Sequence, residues 1–194
     1  MKIDWEKIGI KELAALTSEK LRQEGVDSIL VGGACVSIYT KNKYESFDLD
    51  FVTHATIKKV SSILAELGFQ RESSRHFIHP ECPFFIEFVA PPAAVGNEPL
   101  KGEKNIKTKL GTLVLMTPTD SVKDRLAAYY HWNDQQALES RHSWLPRHKR
   151  SIILRLNDGL NKKGIVRNTG NFSNDFAKFD FKPKKALRSL FIIN

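Results

Sequence analysis

The chain has 194 residues, 41% of them hydrophobic, which is enough to bury a substantial core in one domain with an appendage. No apolar run approaches the roughly 20 uncharged residues that span a bilayer, and the amino terminus has no signal-peptide pattern, so we expect a cytoplasmic protein with no membrane partner. The net charge of +8 does not by itself indicate nucleic-acid binding, because residues 1–140 hold 17 basic and 19 acidic residues and the whole excess lies beyond them.

Helices and short strands alternate in the first part of the chain. The predicted elements are, in chain order, a helix over residues 5–24, a strand over 28–31, a helix over 34–39, a strand over 47–52 and a helix over 57–67. Glycines follow both long helices and the first strand, where they act as stop or turn signals.

Two further strands and one long helix are predicted in the second part. Strands are expected over residues 84–89 and, after a lysine-rich connection, over 113–116. The segment 117–120 combines a cap threonine, a first-turn proline and a capping-box aspartate, so we expect a helix over residues 118–132.

Asp48 and Asp50 are separated by one apolar residue, so on a strand both carboxylates leave from the same face while Leu49 points to the core. Two like charges held so close are unfavourable unless a cation neutralises them, and hard oxygen ligands select Mg²⁺ or Mn²⁺. By itself the pair is equally consistent with two solvated carboxylates on a surface strand.

Glu87 lies in the middle of the apolar strand over residues 84–89, where an unpaired carboxylate is costly to bury. We expect Glu87 to supply a third carboxylate to the same metals, and three carboxylates suit a two-metal displacement. In such a site one ion activates the attacking hydroxyl while the other holds a nucleoside triphosphate.

Gly32 and Gly33 stand between a predicted strand and a predicted helix. A glycine pair lets the backbone approach a triphosphate, and the N–H groups of the following helix face the phosphates with a favourable dipole. Taken alone, the pair is more often a simple tight turn; the order of glycine pair, D-x-D strand and glutamate strand is what indicates a nucleotide site.

The segments ILVGGACVSIY, SFDLDFV and FFIEFV resemble the core motifs of the polymerase-beta nucleotidyltransferase superfamily, over roughly residues 28–134. The resemblance implies the minimal nucleotidyltransferase fold, an α/β fold with a short mixed sheet backed by helices. The two-glycine form and the segment PTDSVKDRLAAYYHWND are similar to the AbiEii-like branch, which includes abortive-infection and toxin–antitoxin nucleotidyltransferases.

This resemblance assigns roles to individual residues. It implies that the three carboxylates bind two Mg²⁺ or Mn²⁺ ions and that Lys123 contacts the nucleotide phosphates during catalysis. Ser46, one intervening residue before the first aspartate, and Asp134 are the other nucleotide-binding positions, together with the glycine pair. Arg125 points to another helix face and is expected to be solvated or ion-paired. We place the site along one sheet edge, near the Lys123 helix.

The reaction implied is transfer of a nucleoside monophosphate from a nucleoside triphosphate to a hydroxyl. By resemblance the acceptor is a tRNA or a protein, and the protein is a toxin neutralised by a separate antitoxin. Two alternatives stay open: a small-molecule adenylyltransferase of the antibiotic-modifying kind, and a catalytically silent scaffold with the same fold.

We divide the chain into a nucleotidyltransferase domain over residues 1–140 and an atypical basic tail over 141–194. The tail has 13 basic and three acidic residues and no glutamate, with little periodicity, yet it contains apolar clusters such as residues 152–154. We interpret it either as the product of a shifted reading frame or as a poorly ordered extension, and do not count its charge as evidence for RNA binding.

Overall fold

The structure is a computed structural model that describes residues 3–95 and 98–132. The helices in these ranges are α1 (Ile10–Gln23), α2 (Gly32–Thr40), α3 (Ile57–Ala65) and α4 (Pro118–Trp132). The strands in the same ranges are β1 (Ile29–Val31), β2 (Asp48–Val52), β3 (Gln70–Arg71), β4 (His76–Ile78), β5 (Phe85–Val89), β6 (Ala94–Val95), β7 (Glu98–Pro99), β8 (Glu103–Thr108) and β9 (Gly111–Met116). None of the helices described has both the length and the apolar character that crossing a membrane requires.

Seven strands form one sheet in the order β3-β4-β5-β2-β1-β9-β8, while β6 and β7 form a separate pair. Strand β2 runs parallel to β5 and β1 runs parallel to β9, whereas the other pairs are antiparallel. The predicted α/β class, a mixed sheet backed by helices, is therefore confirmed.

The predicted position of the site along a sheet edge is wrong. The three strands that carry the predicted site residues, β1, β2 and β5, are the middle strands of the sheet, and β3 and β8 form its edges. The sequence did not indicate the two edge strands, because neither has an apolar pattern. Residues 103–108, which we expected to be a connection, form β8, a mostly polar strand whose one partner among residues 3–95 and 98–132 is β9. Lysines are common on such edge strands because they discourage pairing with another chain.

Helix α1 begins five residues later than predicted, because Gly9, an extended residue, occupies the N-cap position. Trp5 lies outside the helix and packs on His79, with ring centroids 4.3 Å apart. The helix ends at Gln23, and Gly25, the residue after the C-cap, has a φ of 67°, the left-handed conformation that the glycine stop signal requires.

The two faces of the sheet at β2 and β5 differ in burial: one packs into the hydrophobic core and the other is partly exposed. The side chains of Leu49, Phe51 and Ile86 are fully buried in the hydrophobic core. Because side chains alternate along a strand, Asp48, Asp50 and Glu87 lie on the other face, where each is half-buried. The same alternation that builds the core therefore brings the acidic residues to one side of the sheet.

Candidate active site

The acidic residues of β2 and β5 lie side by side. These strands are parallel and in register, with Asp50 opposite Glu87 and Asp48 opposite Phe85. Neighbouring strands are about 4.8 Å apart, and residues two apart on one strand share a face. Asp48, Asp50 and Glu87 are consequently neighbours on one face of the sheet centre.

The carboxyl group of Asp50 is strongly perturbed by its surroundings. Burial raises the pKa of Asp50 to about 7, and the negative charges of Asp48 and Glu87 add to the rise, while the positive charge of Arg125 opposes it. A carboxyl group whose ionisation is so unfavourable gains from a nearby cation. Burial of Asp50 beside two other carboxylates therefore favours a positively charged ligand at this cluster.

Asp50 also lies directly against the turn between β1 and α2. Val31, the last residue of β1, is its antiparallel partner. A Cβ atom built on Gly32 would lie 2.2 Å from Oδ2 of Asp50, and Gly32 has a φ of 69°. A side chain at this position would both strain the backbone and occupy the space of the carboxylate. Glycine is thus required here for two physical reasons.

Ser46 is held against Asp48. Its Oγ donates hydrogen bonds to Oδ1 of Asp48 and, at 3.3 Å, to the carbonyl oxygen of the same residue. Only 8% of Ser46 is exposed, and a Cβ atom built on Gly33 would lie 2.9 Å from its Oγ. Both glycines of the pair thus face a polar side chain of the acidic segment.

The amino-terminal end of α2 lies next to these carboxylates. Its N-cap, Val31, makes no side-chain capping hydrogen bond, so no side chain satisfies the first N–H groups from that position. Uncapped N–H groups at a helix start favour an anionic ligand such as phosphate. The role of this helix start as a phosphate cradle stays a prediction.

Lys123 is on the buried side of α4. It is 9% exposed, and its Nζ lies 3.9 Å from Oδ1 of Asp120, which is itself almost completely buried. The predicted threonine cap is present, since Asp120 N donates to Thr117 Oγ1 at 3.2 Å. The Asp120 carboxylate accepts from the Thr117 hydroxyl at 2.8 Å and from Lys101 N at 3.3 Å, so it pairs with the cap residue in a different way from a capping box. The phosphate contact assigned to Lys123 stays a prediction.

Sequence reasoning gave too little weight to two neighbours of the cluster. Arg125 is ion-paired with Asp124, as expected, at 2.7 Å, but its side chain is only 17% exposed, and both charges act on the pKa of Asp50. His76 lies opposite Glu87 on β4, with Nδ1 2.7 Å from Oε2 of Glu72. Neither residue has a distinctive spacing, so only the strand order and the packing of α4 on α2 bring them close.

Two predicted features lie outside the described residues. Asp134, the second nucleotide-binding position proposed on the long helix, follows the last described residue, Trp132. The basic tail over residues 141–194 also lies beyond it.

Within residues 3–95 and 98–132, no three His, Cys, Asp or Glu side chains form a group that could hold a metal ion by themselves. A preformed three-ligand site is thus absent from this part of the chain. Mg²⁺ is commonly bound by only one or two carboxylates together with waters and substrate phosphates. The carboxylates of β2 and β5 have the donor chemistry for that second mode.

An antigenic nucleotidyltransferase-like protein from Paracoccidioides brasiliensis has a similar fold, with a TM-score of 0.54 and 12% sequence identity over 79% of this chain and 88% of that chain. The antibiotic-resistance factor ANT(2'')-Ia aligns with a TM-score of 0.47 and 11% identity over 79% of this chain and 91% of that chain, too weakly to support a conclusion. No protein-family model matches the chain, and no curated protein matches its sequence. The chain therefore has a nucleotidyltransferase-like fold, and its activity has to be argued from the site.

Proposed function

We propose that this chain is a metal-dependent nucleotidyltransferase. The observation that carries the proposal is the in-register pair of Asp50 and Glu87, with Asp48 on the same face and the Gly32 turn against Asp50. A cluster of carboxylates beside an uncapped helix start suits a triphosphate that arrives with a divalent cation.

One or two of the carboxylates of Asp48, Asp50 and Glu87 would hold Mg²⁺ or Mn²⁺ together with waters and substrate phosphates, because hard cations prefer oxygen ligands. The raised pKa of Asp50 supports this assignment, because a bound cation would stabilise the ionised carboxylate that burial and the neighbouring charges disfavour. When bound, the metal would lower the pKa of the attacking hydroxyl and stabilise the charge that develops on the triphosphate.

In the proposed reaction, the oxygen of an acceptor hydroxyl forms a bond to the α-phosphorus of a nucleoside triphosphate. The bond from that phosphorus to the oxygen bridging the α- and β-phosphates breaks, pyrophosphate leaves with the electron pair, and the hydroxyl proton passes to water. The N–H groups at the start of α2 would hold the phosphates. We also propose that Lys123 and Asp134 contact the nucleotide, as the family resemblance implies.

The finer assignment is to the AbiEii-like branch, on the two-glycine motif and the segment that begins at Pro118. It gives a tRNA or a protein side chain as the acceptor and a separate antitoxin as a partner. Incubating the protein with α-labelled nucleoside triphosphates and either total tRNA or a cell extract separates these acceptors, because the label enters RNA in one case and protein in the other.

The direct test is calorimetric titration with each of the four ribonucleoside triphosphates, with Mg²⁺ and with EDTA. We expect Mg²⁺-dependent binding of at least one nucleotide, and its loss when Asp48→Asn and Asp50→Asn are combined. Asp27→Asn is the matched control, because Asp27 is exposed on the segment before β1. No binding by the intact chain would favour a silent scaffold; equal binding by the double variant would place the nucleotide elsewhere.

A further inference from the structure

The glycine pair and the residue before the D-x-D motif form two matched contacts across the turn. Gly32 faces Asp50, and Gly33 faces Ser46, whose hydroxyl donates to the Asp48 carboxylate. The two glycines therefore leave space for the side chains that form and support the acidic cluster, and not only for an approaching phosphate.

We propose that Ser46 is a positioning residue that fixes the Asp48 carboxylate for metal binding, and that position 33 must be glycine to leave room for the Ser46 hydroxyl. This inference rests on the proposed metal-dependent function. It differs from the role that the family resemblance implies, because Ser46 would act through Asp48 and would not contact the nucleotide itself.

The burial and the contacts of Ser46 support this role. The residue is 8% exposed, and its Oγ already donates to Oδ1 and to the carbonyl oxygen of Asp48. A hydroxyl has one proton, and here that proton is directed at Asp48. One carboxylate oxygen is thus held by Ser46, which leaves Oδ2 available to a cation. Groups that orient a metal ligand through a hydrogen bond typically contribute about 10-fold to 100-fold in metal affinity.

The space around Gly33 makes the inference testable. The Cβ atom of an alanine at this position would lie 2.9 Å from Ser46 Oγ, closer than side-chain carbons are found to approach. The next neighbours, Ser46 Cβ and Tyr44 Cε1, lie at 3.5 and 3.6 Å, which are ordinary contact distances. Gly33→Ala should therefore displace the hydroxyl in the natural background and be accommodated when residue 46 is alanine.

The experiment is a double-variant cycle on Mn²⁺ affinity, measured by electron paramagnetic resonance in the presence of the triphosphate that binds. We expect Ser46→Ala to weaken Mn²⁺ binding about 10-fold with little change in melting temperature. Gly33→Ala should weaken it similarly, and the combined variant should be no weaker than either single variant. Ser61→Ala is the control, because its hydroxyl donates only within α3, at 2.8 Å to the Ile57 carbonyl oxygen.

The outcomes separate this inference from the proposed function. If the natural protein binds Mn²⁺ and Ser46→Ala binds it equally well, the positioning role is wrong and the proposed function stands. If Gly33→Ala weakens nucleotide binding by the same factor with and without the Ser46 hydroxyl, glycine is needed for the phosphates and not for Ser46. If the natural protein binds no Mn²⁺ at all, the function and the inference fail together.

Discussion

Gly32 and Asp50 occupy adjoining space: a side-chain carbon on Gly32 would lie 2.2 Å from the Oδ2 atom of Asp50. The two residues are 18 positions apart in the sequence, and the antiparallel pairing of Val31 with Asp50 brings them together. The contact joins the glycine turn and the acidic strand into one structural unit.

The contact predicts an unusually large cost for Gly32→Ala. The left-handed backbone alone should cost about 1–2 kcal/mol, and displacement of the Asp50 carboxylate should raise the total above about 3 kcal/mol. Chemical denaturation followed by circular dichroism measures the loss.

Gly25→Ala is the matched control for that prediction. Gly25 has a nearly identical φ of 67°, and a Cβ atom there would meet nothing within 4 Å. We expect Gly25→Ala to lose only about 1–2 kcal/mol of unfolding free energy, which is what the left-handed backbone costs. Adding Asp50→Ala to Gly32→Ala should recover most of the difference between the two variants, and equal losses for Gly32→Ala and Gly25→Ala would contradict the contact.

The raised pKa of Asp50 predicts a pH-dependent stability without metal. Between the ordinary pKa of 3.8 and about 7, the unfolded state has released a proton that the folded state still holds, so stability falls as the pH rises through this range. Asp50→Asn cannot ionise and lacks this fall. In EDTA, the variant should exceed the natural protein in unfolding free energy by on the order of 2–4 kcal/mol at pH 8 and lose this advantage near pH 4.

Magnesium gives a second arm of the same experiment. If Asp50 is a ligand, adding Mg²⁺ with nucleotide at pH 8 should raise the melting temperature of the natural protein and leave that of Asp50→Asn unchanged. A pH-independent stability difference between the two proteins would show that Asp50 is not protonated in the folded state.

The threonine cap of α4 predicts a moderate loss of unfolding free energy for Thr117→Ala. The threonine hydroxyl accepts from the backbone N–H of Asp120 and donates to its carboxylate, and Asp120 is 2% exposed. We expect a loss of about 1–2 kcal/mol, at the upper end for a helix cap, because a buried carboxylate loses a donor.

Thr56→Ala serves for comparison, since Thr56 caps α3 through an exposed and longer bond of 3.4 Å to Lys59 N. Thr56→Ala should lower the free energy of unfolding by about 0.5 kcal/mol. Urea denaturation of both variants measures the two caps under the same conditions. A Thr56→Ala loss that equals or exceeds the Thr117→Ala loss would mean that burial of Asp120 adds nothing.

The period-two alternation around Asp48 and Glu87 was sufficient to predict which face of each strand carries the acidic residues. Buried Leu49 and Ile86 fix that face, since a one-residue slip would move them out of the core. Helices α3 and α4 also begin where predicted.

The arrangement of the strands could not be predicted from the same patterns. Strand β8 is polar because it is an edge strand, so nothing in its sequence distinguishes it from a loop. Without the strand order, neither the position of His76 beside Glu87 nor the contact between Gly32 and Asp50 can be predicted. Local patterns indicate faces and ends of elements, whereas these relationships depend on which strands pair.

The central claim is that the carboxylates of β2 and β5 bind a divalent cation that carries a nucleoside triphosphate. A crystal structure with Mn²⁺ and a non-hydrolysable nucleoside triphosphate tests it most directly, because the anomalous signal of manganese locates the ion. We predict manganese bonded to carboxylate oxygen atoms of one or two of Asp48, Asp50 and Glu87, with the triphosphate at the start of α2. Manganese bound away from these carboxylates would contradict the account. So would a triphosphate bound away from the start of α2 with no manganese beside it.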